Sequence, residues 1–282
     1  MQQRHLKRKQ YFDEQGITTK KHVIPYIEQS MTVDAHTSVL EIGCGEGGNM
    51  VPFIERGCKV VGVDISEYRI QNALRFLQEH MDGNNVQLLT QDIYKVDPEV
   101  LGCFDLIIMR DVIEHIPNQE RFLTFVKQFL TPNGKIFFGF PPWRMPFGGH
   151  QQVCRSKFLS KLPYFHLLGK APYAAVLRLF GEKEKTIQEL MEVKETGISL
   201  RRFEHILAKA NYRILHKDLY LFNPNYEIKF GLQPRKLGKM AAAVPYFRDF
   251  YTTCCYCLVG LHDAEDTSAQ STRLETTNGT AV

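Results

Sequence analysis

The sequence has no apolar run approaching the ~18 residues a membrane-spanning helix needs, so no segment is expected to cross a bilayer. Cysteine is sparse and odd in number: seven residues, with one Cys-x-x-Cys at Cys254 and Cys257 and no second pair to complete a zinc site. With Cys255 they sit in an apolar run and read as buried, reduced thiols of a cytoplasmic protein. Charge of one sign is also lacking. A formal net charge of +4 is too mild to argue for nucleic acid. Arg4, Lys7, Arg8 and Lys9 have no apolar core region behind them, so no secretory signal is expected. There is no internal repeat. What is present is 44% hydrophobic residues in 282, enough for a sizeable core.

Short apolar runs alternate with amphipathic ones from residue 38 onward. "SVLEI" (38–42), "KVVGVDI" (59–65), "VQLLTQDI" (86–93), "FDLIIMR" (104–110) and "KIFFGFPP" (135–142) read as strands. Helices are expected over 18–31 with an interruption at Pro25, over 49–57, over 66–81 with Ser66 as N-cap, and over 118–130. In the third of these Ile70, Ala73, Leu74 and Leu77 share one face. Such alternation predicts an α/β fold, a doubly wound, mostly parallel sheet covered on both faces. After Pro142 the pattern breaks into two or three helices; a helix (199–211) and strands (212–222 and 251–262, the last antiparallel) then complete the sheet. The expected organisation is an N-terminal helical segment (1–36), a ligand-binding core (37–142), a helical insertion (143–198), a C-terminal completion (199–262) and a disordered tail (263–282). Asn278 matches a glycosylation acceptor, without other signs of secretion.

"VLEIGCGEGGN" (39–49) joins the first strand to a helix. Gly43, Gly45 and Gly47 can take positive φ and let a ligand touch the backbone, and the following helix offers free N–H groups. Asp64, at the end of the second strand, suits a ribose; Asp92, at the end of the third, is within reach of an adenine edge. Glu41 faces a cationic group near the loop. Gly43, Gly45 and Gly48 also satisfy Gly-x-Gly-x-x-Gly, so the loop alone leaves a nicotinamide dinucleotide open.

"VLEIGCGEGG", "VVGVDIS", "QDI", "FDLIIMRDVIEHI" and "LTPNGKIFFGFPP" follow one another over residues 37–142 in a way that resembles the ordered motifs of class I S-adenosylmethionine-dependent methyltransferases. That resemblance implies a Rossmann-like seven-stranded sheet and S-adenosyl-L-methionine as cofactor. It places Gly43, Cys44, Gly45 and Gly47 around the methionine part, Asp64 with Ile65 at the ribose, and Asp92 with Ile93 at adenine. Glu41, Arg110 and Asp111 then lie near the methionine moiety.

"RDVIEHIP" (110–117) follows the fourth strand, where a methyl acceptor should lie. Asp111, Glu114 and His115 are spaced i, i+3, i+4, which on a helical turn puts all three on one side. The stretch resembles the Glu-x-x-Glu-His signature of ubiquinone-pathway O-methyltransferases and small-RNA 3′-end methyltransferases, with Asp111 in place of the first Glu. That likeness implies a divalent metal polarising the acceptor oxygen, with His150 of "FGGHQQ" as a further ligand. His150 as a general base, or Glu114 and His115 merely holding the loop by hydrogen bonds, are the alternatives, and no metal ligand is assigned. Trp143, Phe147, Gly148 and Gly149 suggest a hinged aromatic cover. The Lys/Arg and Phe/Tyr/Leu mixture of 155–181 reads as a lid, with peripheral membrane contact as the other reading. The expected activity is O-methylation of a small-molecule acceptor: a phenol, a sugar or a lipid-like compound. No dedicated nucleic-acid module is visible, though an RNA methyltransferase and a non-catalytic cofactor-binding protein stay open. Oligomeric state is not legible.

Overall fold

A computed structural model describes residues 8–81 and 85–262. Arg4, Lys7, the expected disordered tail and Asn278 lie outside these. Among the described residues eight strands form one sheet: β1 Ser38–Ile42, β2 Lys59–Asp64, β3 Val86–Thr90, β4 Phe104–Arg110, β5 Leu130–Phe140, β6 Tyr212–Phe222, β7 Arg235–Lys236 and β8 Cys254–Leu261. Their order is β3-β2-β1-β4-β5-β8-β6-β7. β1 to β5 are parallel, and β8 inserts antiparallel between β5 and β6. The sheet therefore has one strand more than the seven expected. The extra one, β7, is a two-residue edge pairing Lys236 with Tyr220 and Arg235 with Phe222, too short to leave a periodic signature. The chain runs outward through β1, β2 and β3 and returns to β4 on the other side of β1. That reversal opens a crevice at the carboxyl ends of β1 and β4.

The helices are α1 Arg8–Thr18, α2 Ile24–Ile27, α3 Val51–Ile54, α4 Glu67–Leu77, α5 Pro98–Leu101, α6 Gln119–Val126, α7 Lys170–Leu179, α8 Glu184–Thr196, α9 Leu200–Lys209 and α10 Asn225–Phe230, followed by two short ones. A π-helical turn, Thr19–Val23, joins α1 to α2. Pro25 explains it: without an N–H it cannot make the regular i→i−4 bond, so the chain widens just before it rather than breaking. Ser66 caps α4 as expected, its hydroxyl accepting from the Arg69 amide at 3.4 Å. Ile70, Ala73 and Leu77 are buried, but Leu74 is 42% exposed and belongs to the rim, not the core face.

Apolar side chains fill both faces of the sheet. On one, Phe122 of α6 and Phe203 of α9 pack with Phe138 and Phe140 of β5; on the other, Phe12, Val23, Ile27 and Phe53 pack with β1, β2 and α4. Each such buried ring stabilises the fold by roughly 1.5–3 kcal/mol. Residues from 154 to 190 build a separate small core of Cys154, Leu159, Phe165, Tyr173, Leu177, Ile187 and Leu190. Cys254, Cys255 and Cys257 are buried free thiols in β8. Among the described residues no helix is long and apolar enough to cross a membrane.

Candidate active site

The bend after β1 is held from below. Gly43 and Cys44 donate their amides to the Val63 carbonyl at 2.7 and 3.1 Å, tying the loop to the end of β2. Cys44 turns its side chain into the core, where its sulfur would lie 2.9 Å from a Cβ on Gly62, so only its main chain belongs to the loop surface. Gly43, Gly45 and Gly47 have φ of 72°, 55° and 82°. They differ in what surrounds them. A Cβ on Gly43 would meet Val112 at 2.5 Å and one on Gly47 would meet Leu77 at 2.8 Å, but at Gly45 nothing among the described residues lies within 4 Å. Gly45 thus presents bare backbone to open space. Gly48 answers to a different demand: α1 crosses so closely that a Cβ there would fall 2.4 Å from the Phe12 carbonyl.

Asp64 lies beside Gly45 with 5% of its surface exposed. One carboxylate oxygen accepts from the Gly45 amide at 2.9 Å, the other from the Ser66 amide at 2.8 Å. The carboxylate is fixed, and each oxygen keeps a lone pair. The Asp64 carbonyl accepts from the Gln91 amide at 3.0 Å, bringing the ends of β2 and β3 together. Asp92 is half-buried and caps the turn Ile93–Lys95 through the Tyr94 amide at 3.1 Å. Ile93 is buried, whereas Ile65 is 78% exposed.

Behind the loop Glu41 is buried. Asn49 donates to its Oε1 at 2.7 Å and in turn accepts from Arg110 at 2.6 Å; Arg110 also donates to the Thr19 hydroxyl at 3.0 Å. Burial pushes the Glu41 carboxyl up to about 8, opposed by Asn49 and Arg110. Its folded pKa exceeds its unfolded one, so the native state holds this proton more tightly. The associated stability is complete below about pH 4 and is lost as pH rises through about 8. Glu41→Gln keeps an acceptor for Asn49 and removes the titration. Its urea midpoint should match the parent's at pH 4 and exceed it at pH 9, by a stability difference on the order of a few kcal/mol. Equal midpoints at pH 9 would disprove the shift.

After β4 the chain departs from the spacing-based expectation. Asp111 takes φ of 54°, and the turn that follows is 3₁₀, Ile113–His115. Asp111, Glu114 and His115 therefore do not share one helical face. Instead Glu114, His115 and His150 come together, with their donor atoms all within 4.8 Å of one another, and Asp111 stands outside that group. The rings of His115 and His150 are 4.8 Å apart and nearly perpendicular. Glu114 is buried, and among the described residues neither carboxylate oxygen has a hydrogen-bond partner; burial, with Asp111 nearby, raises its pKa well above the carboxylate range. His150 is half-buried, and burial with His115 and His166 around it pushes its imidazole down to about 3.

The insertion positions this turn. The Thr196 hydroxyl, at the end of α8, donates to the Glu114 carbonyl at 2.6 Å, and Gln119 donates to the Thr196 carbonyl. His150 is placed by a tight crossing. Gly149 packs where a Cβ would meet His166 at 2.2 Å, and buried His166 donates to the Trp143 carbonyl at 2.8 Å. Gly148 is crowded likewise, a Cβ there meeting the Trp143 carbonyl at 2.3 Å, so both glycines of the expected hinge sit where only glycine fits.

A family model described as a methyltransferase domain matches residues 16–217, well over half of the chain. The chain belongs to that family. It is a class I methyltransferase domain, with the crevice, glycine loop and strand-end acids on the sheet edge where that fold binds S-adenosylmethionine. The ubiquinone biosynthesis O-methyltransferase of Coxiella burnetii (strain RSA 493 / Nine Mile phase I) is 31% identical over 115 residues, 41% of this chain and 47% of that protein. The mitochondrial ubiquinone biosynthesis O-methyltransferase of Bos taurus is 25% identical over 147 residues, 45% of this chain and 39% of that protein. The chain thus spans less than half the length of these relatives. Magnesium protoporphyrin IX methyltransferase of Synechocystis PCC 6803, solved with bound S-adenosylhomocysteine, shares the fold: TM-score 0.52 at 15% identity, covering 88% of this chain and 84% of that one.

Several residues of this methyltransferase domain's crevice carry no motif. Asn49 and Thr19 join Glu41 to Arg110. Arg8 of α1 pairs with buried Glu46 of the loop at 3.1 Å. Tyr11 feels Asp111 and Arg110; burial, then Asp111, push its hydroxyl up to about 12. Tyr226 of α10 is raised too, chiefly by burial.

Proposed function

We propose that the protein transfers the methyl group of S-adenosylmethionine to an oxygen of a small-molecule acceptor. The bare backbone at Gly45, next to a buried and fixed Asp64 carboxylate, is the observation that carries this. In this reading the loop from Gly43 to Gly47 takes the methionine part, with Glu41, Arg110 and Asp111 behind it. Asp64 accepts from the ribose hydroxyls through its remaining lone pairs. Exposed Ile65 adjoins Asp64 on the ribose side, and Asp92 takes the adenine edge with buried Ile93. S-Adenosylmethionine supplies an already activated methyl group, so the chain contributes alignment, a dry pocket and a path for the acceptor's proton.

His150, neutral at pH 7, accepts the hydrogen bond of the acceptor hydroxyl and so aims its oxygen. The proton released as the O–CH3 bond forms and the S–CH3 bond breaks passes to His150, and from it through exposed His115, ring to ring with it, to water. A second reading is favoured by the two unpartnered oxygens of Glu114. A buried carboxylate must be either protonated or neutralised by a cation, and one carboxylate with two imidazoles suits a divalent ion. The residues fit: Glu114, His115 and His150 would hold such an ion, which there would polarise the acceptor oxygen. Segment 143–198 roofs the acceptor side, supported by the grip of Thr196 on the Glu114 turn. The names of the relatives, ubiquinone biosynthesis O-methyltransferases, favour an oxygen acceptor. The free thiols fit a reducing compartment, the cytoplasm.

Isothermal calorimetry with S-adenosylhomocysteine and with NAD tests the cofactor. Binding of the first in the micromolar range, and none of the second, is expected. Submicromolar NAD binding without S-adenosylhomocysteine binding would overturn the reading.

A further inference from the structure

A cluster of positive charge lies outside the candidate active site. A cavity of about 430 Å³ is lined by Arg144, Ser199, Arg201, Arg202, His205 and Tyr246, among others, with no acidic side chain among the described residues that line it. Arg144 is held in place. Its guanidinium lies 4.2 Å from the centre of the Tyr246 ring and 3.7 Å from the fully buried Asp249 carboxylate. The others are not held: among the described residues no ion pair engages Arg201, Arg202 or His205, and both arginines are exposed.

Arg201 and Arg202 occupy the first turn of α9, which Ser199 caps by accepting from the Arg202 amide at 3.2 Å. Cations there oppose the helix dipole, whose positive end favours an anion. Two unpaired guanidinia are thus placed where the helix disfavours them, and beside them stand a third guanidinium, an imidazole and a hydroxyl. All face one concavity. That donor set answers a tetrahedral oxyanion, since guanidinium matches phosphate oxygens in pairs and the others add single hydrogen bonds.

The cavity also has a defined relation to the crevice. β6 runs parallel to β5, because both are antiparallel to β8. α9, which leads into β6, therefore begins at the sheet edge where β5 ends. There the Trp143 amide donates to the Ile198 carbonyl at 2.9 Å. This crossing separates two sides: Thr196 reaches the Glu114 turn, while Arg144 and Ser199 line the cavity.

We propose that this cavity binds a phosphate group, carried by a phosphomonoester or a diphosphate. The inference stands on the cavity's own residues and does not depend on methyl transfer. Calorimetry on the full chain with inorganic pyrophosphate and inorganic phosphate, and co-sedimentation with phosphatidylglycerol or phosphatidylcholine vesicles, test it. Replacing both Arg201→Gln and Arg202→Gln removes charge from exposed positions, so the fold is retained, checked by an unchanged urea midpoint. Wild type should bind pyrophosphate at low salt, with affinity falling as salt rises. The double variant should bind at least about tenfold more weakly, the loss of one charge-assisted hydrogen bond or more. S-Adenosylhomocysteine affinity should stay the same. Binding to phosphatidylglycerol vesicles and not to phosphatidylcholine, lost in the double variant, would identify the phosphate as a lipid headgroup. Pyrophosphate binding without vesicle binding would identify a soluble ester. Failure of both probes, or binding that survives the double substitution, overturns the proposal.

Discussion

Gly45→Asn should yield a folded protein that no longer takes up S-adenosylhomocysteine. Asparagine tolerates positive φ better than other residues with a Cβ, so the 55° at this position costs it little. Nothing among the described residues lies within 4 Å of its Cβ, so the substitution should leave the fold intact, as an unchanged urea midpoint would show. The new side chain then stands in the space above the loop, over backbone that the cofactor would touch. Overfilling a fitted contact costs roughly 1–3 kcal/mol, and losing the approach to the main chain adds to it; affinity should fall at least about a hundredfold by calorimetry. Gly47→Asn is the control with the opposite signature. Its Cβ would meet Leu77 at 2.8 Å and Ala73 at 3.6 Å, so it should lower the urea midpoint. If Gly45→Asn binds like the parent, the loop is not the cofactor's cradle.

The parallel half of the sheet was legible because its strands are covered on both faces. Runs such as "VVGVD" and "LIIM" are continuously buried and end at a charged residue, Asp64 or Arg110, where the crevice begins. The Ser66 cap and the return through α9 were legible for equally local reasons. The site was less so. The i, i+3, i+4 spacing of Asp111, Glu114 and His115 promised a helical face, but spacing has meaning only if the backbone is helical. The left-handed φ of Asp111 delays the turn by one residue and leaves that acid outside. His150 was named as a candidate, yet its meeting with Glu114 depends on how Gly149 packs on His166, a contact between residues 17 apart whose geometry no motif encodes. Asn49, Thr19 and Thr196 were missed outright. They are ordinary polar residues whose roles come from what lies across the crevice. α1 was unreadable as part of the site because few of its residues are buried, Phe12, Glu14 and Thr18, and its apolar signal is correspondingly weak. The cost of its close approach is visible only as a glycine, Gly48, on the other side.

His150→Ala should lower turnover by about 10²- to 10⁴-fold, the usual contribution of a positioned acid–base group, while S-adenosylhomocysteine affinity changes little. The separation is expected because His150 groups with His115 and Glu114 of the turn after β4 and with His166, whereas the loop proposed for the cofactor follows β1. Unchanged turnover would remove it from the site. A fall by itself does not tell a proton acceptor from a metal ligand, but chelation does. If His150 acts directly on the acceptor hydroxyl, the parent keeps full activity in chelator. If Glu114, His115 and His150 hold a cation, chelator abolishes turnover and added Mg²⁺ or Zn²⁺ restores it. Glu114→Gln then divides the readings again. Glutamine resembles the protonated carboxyl that burial favours in the free site, so a direct base at His150 should work almost normally beside it. A cation would lose the one charged ligand of its group, and its restoring concentration should rise at least about tenfold.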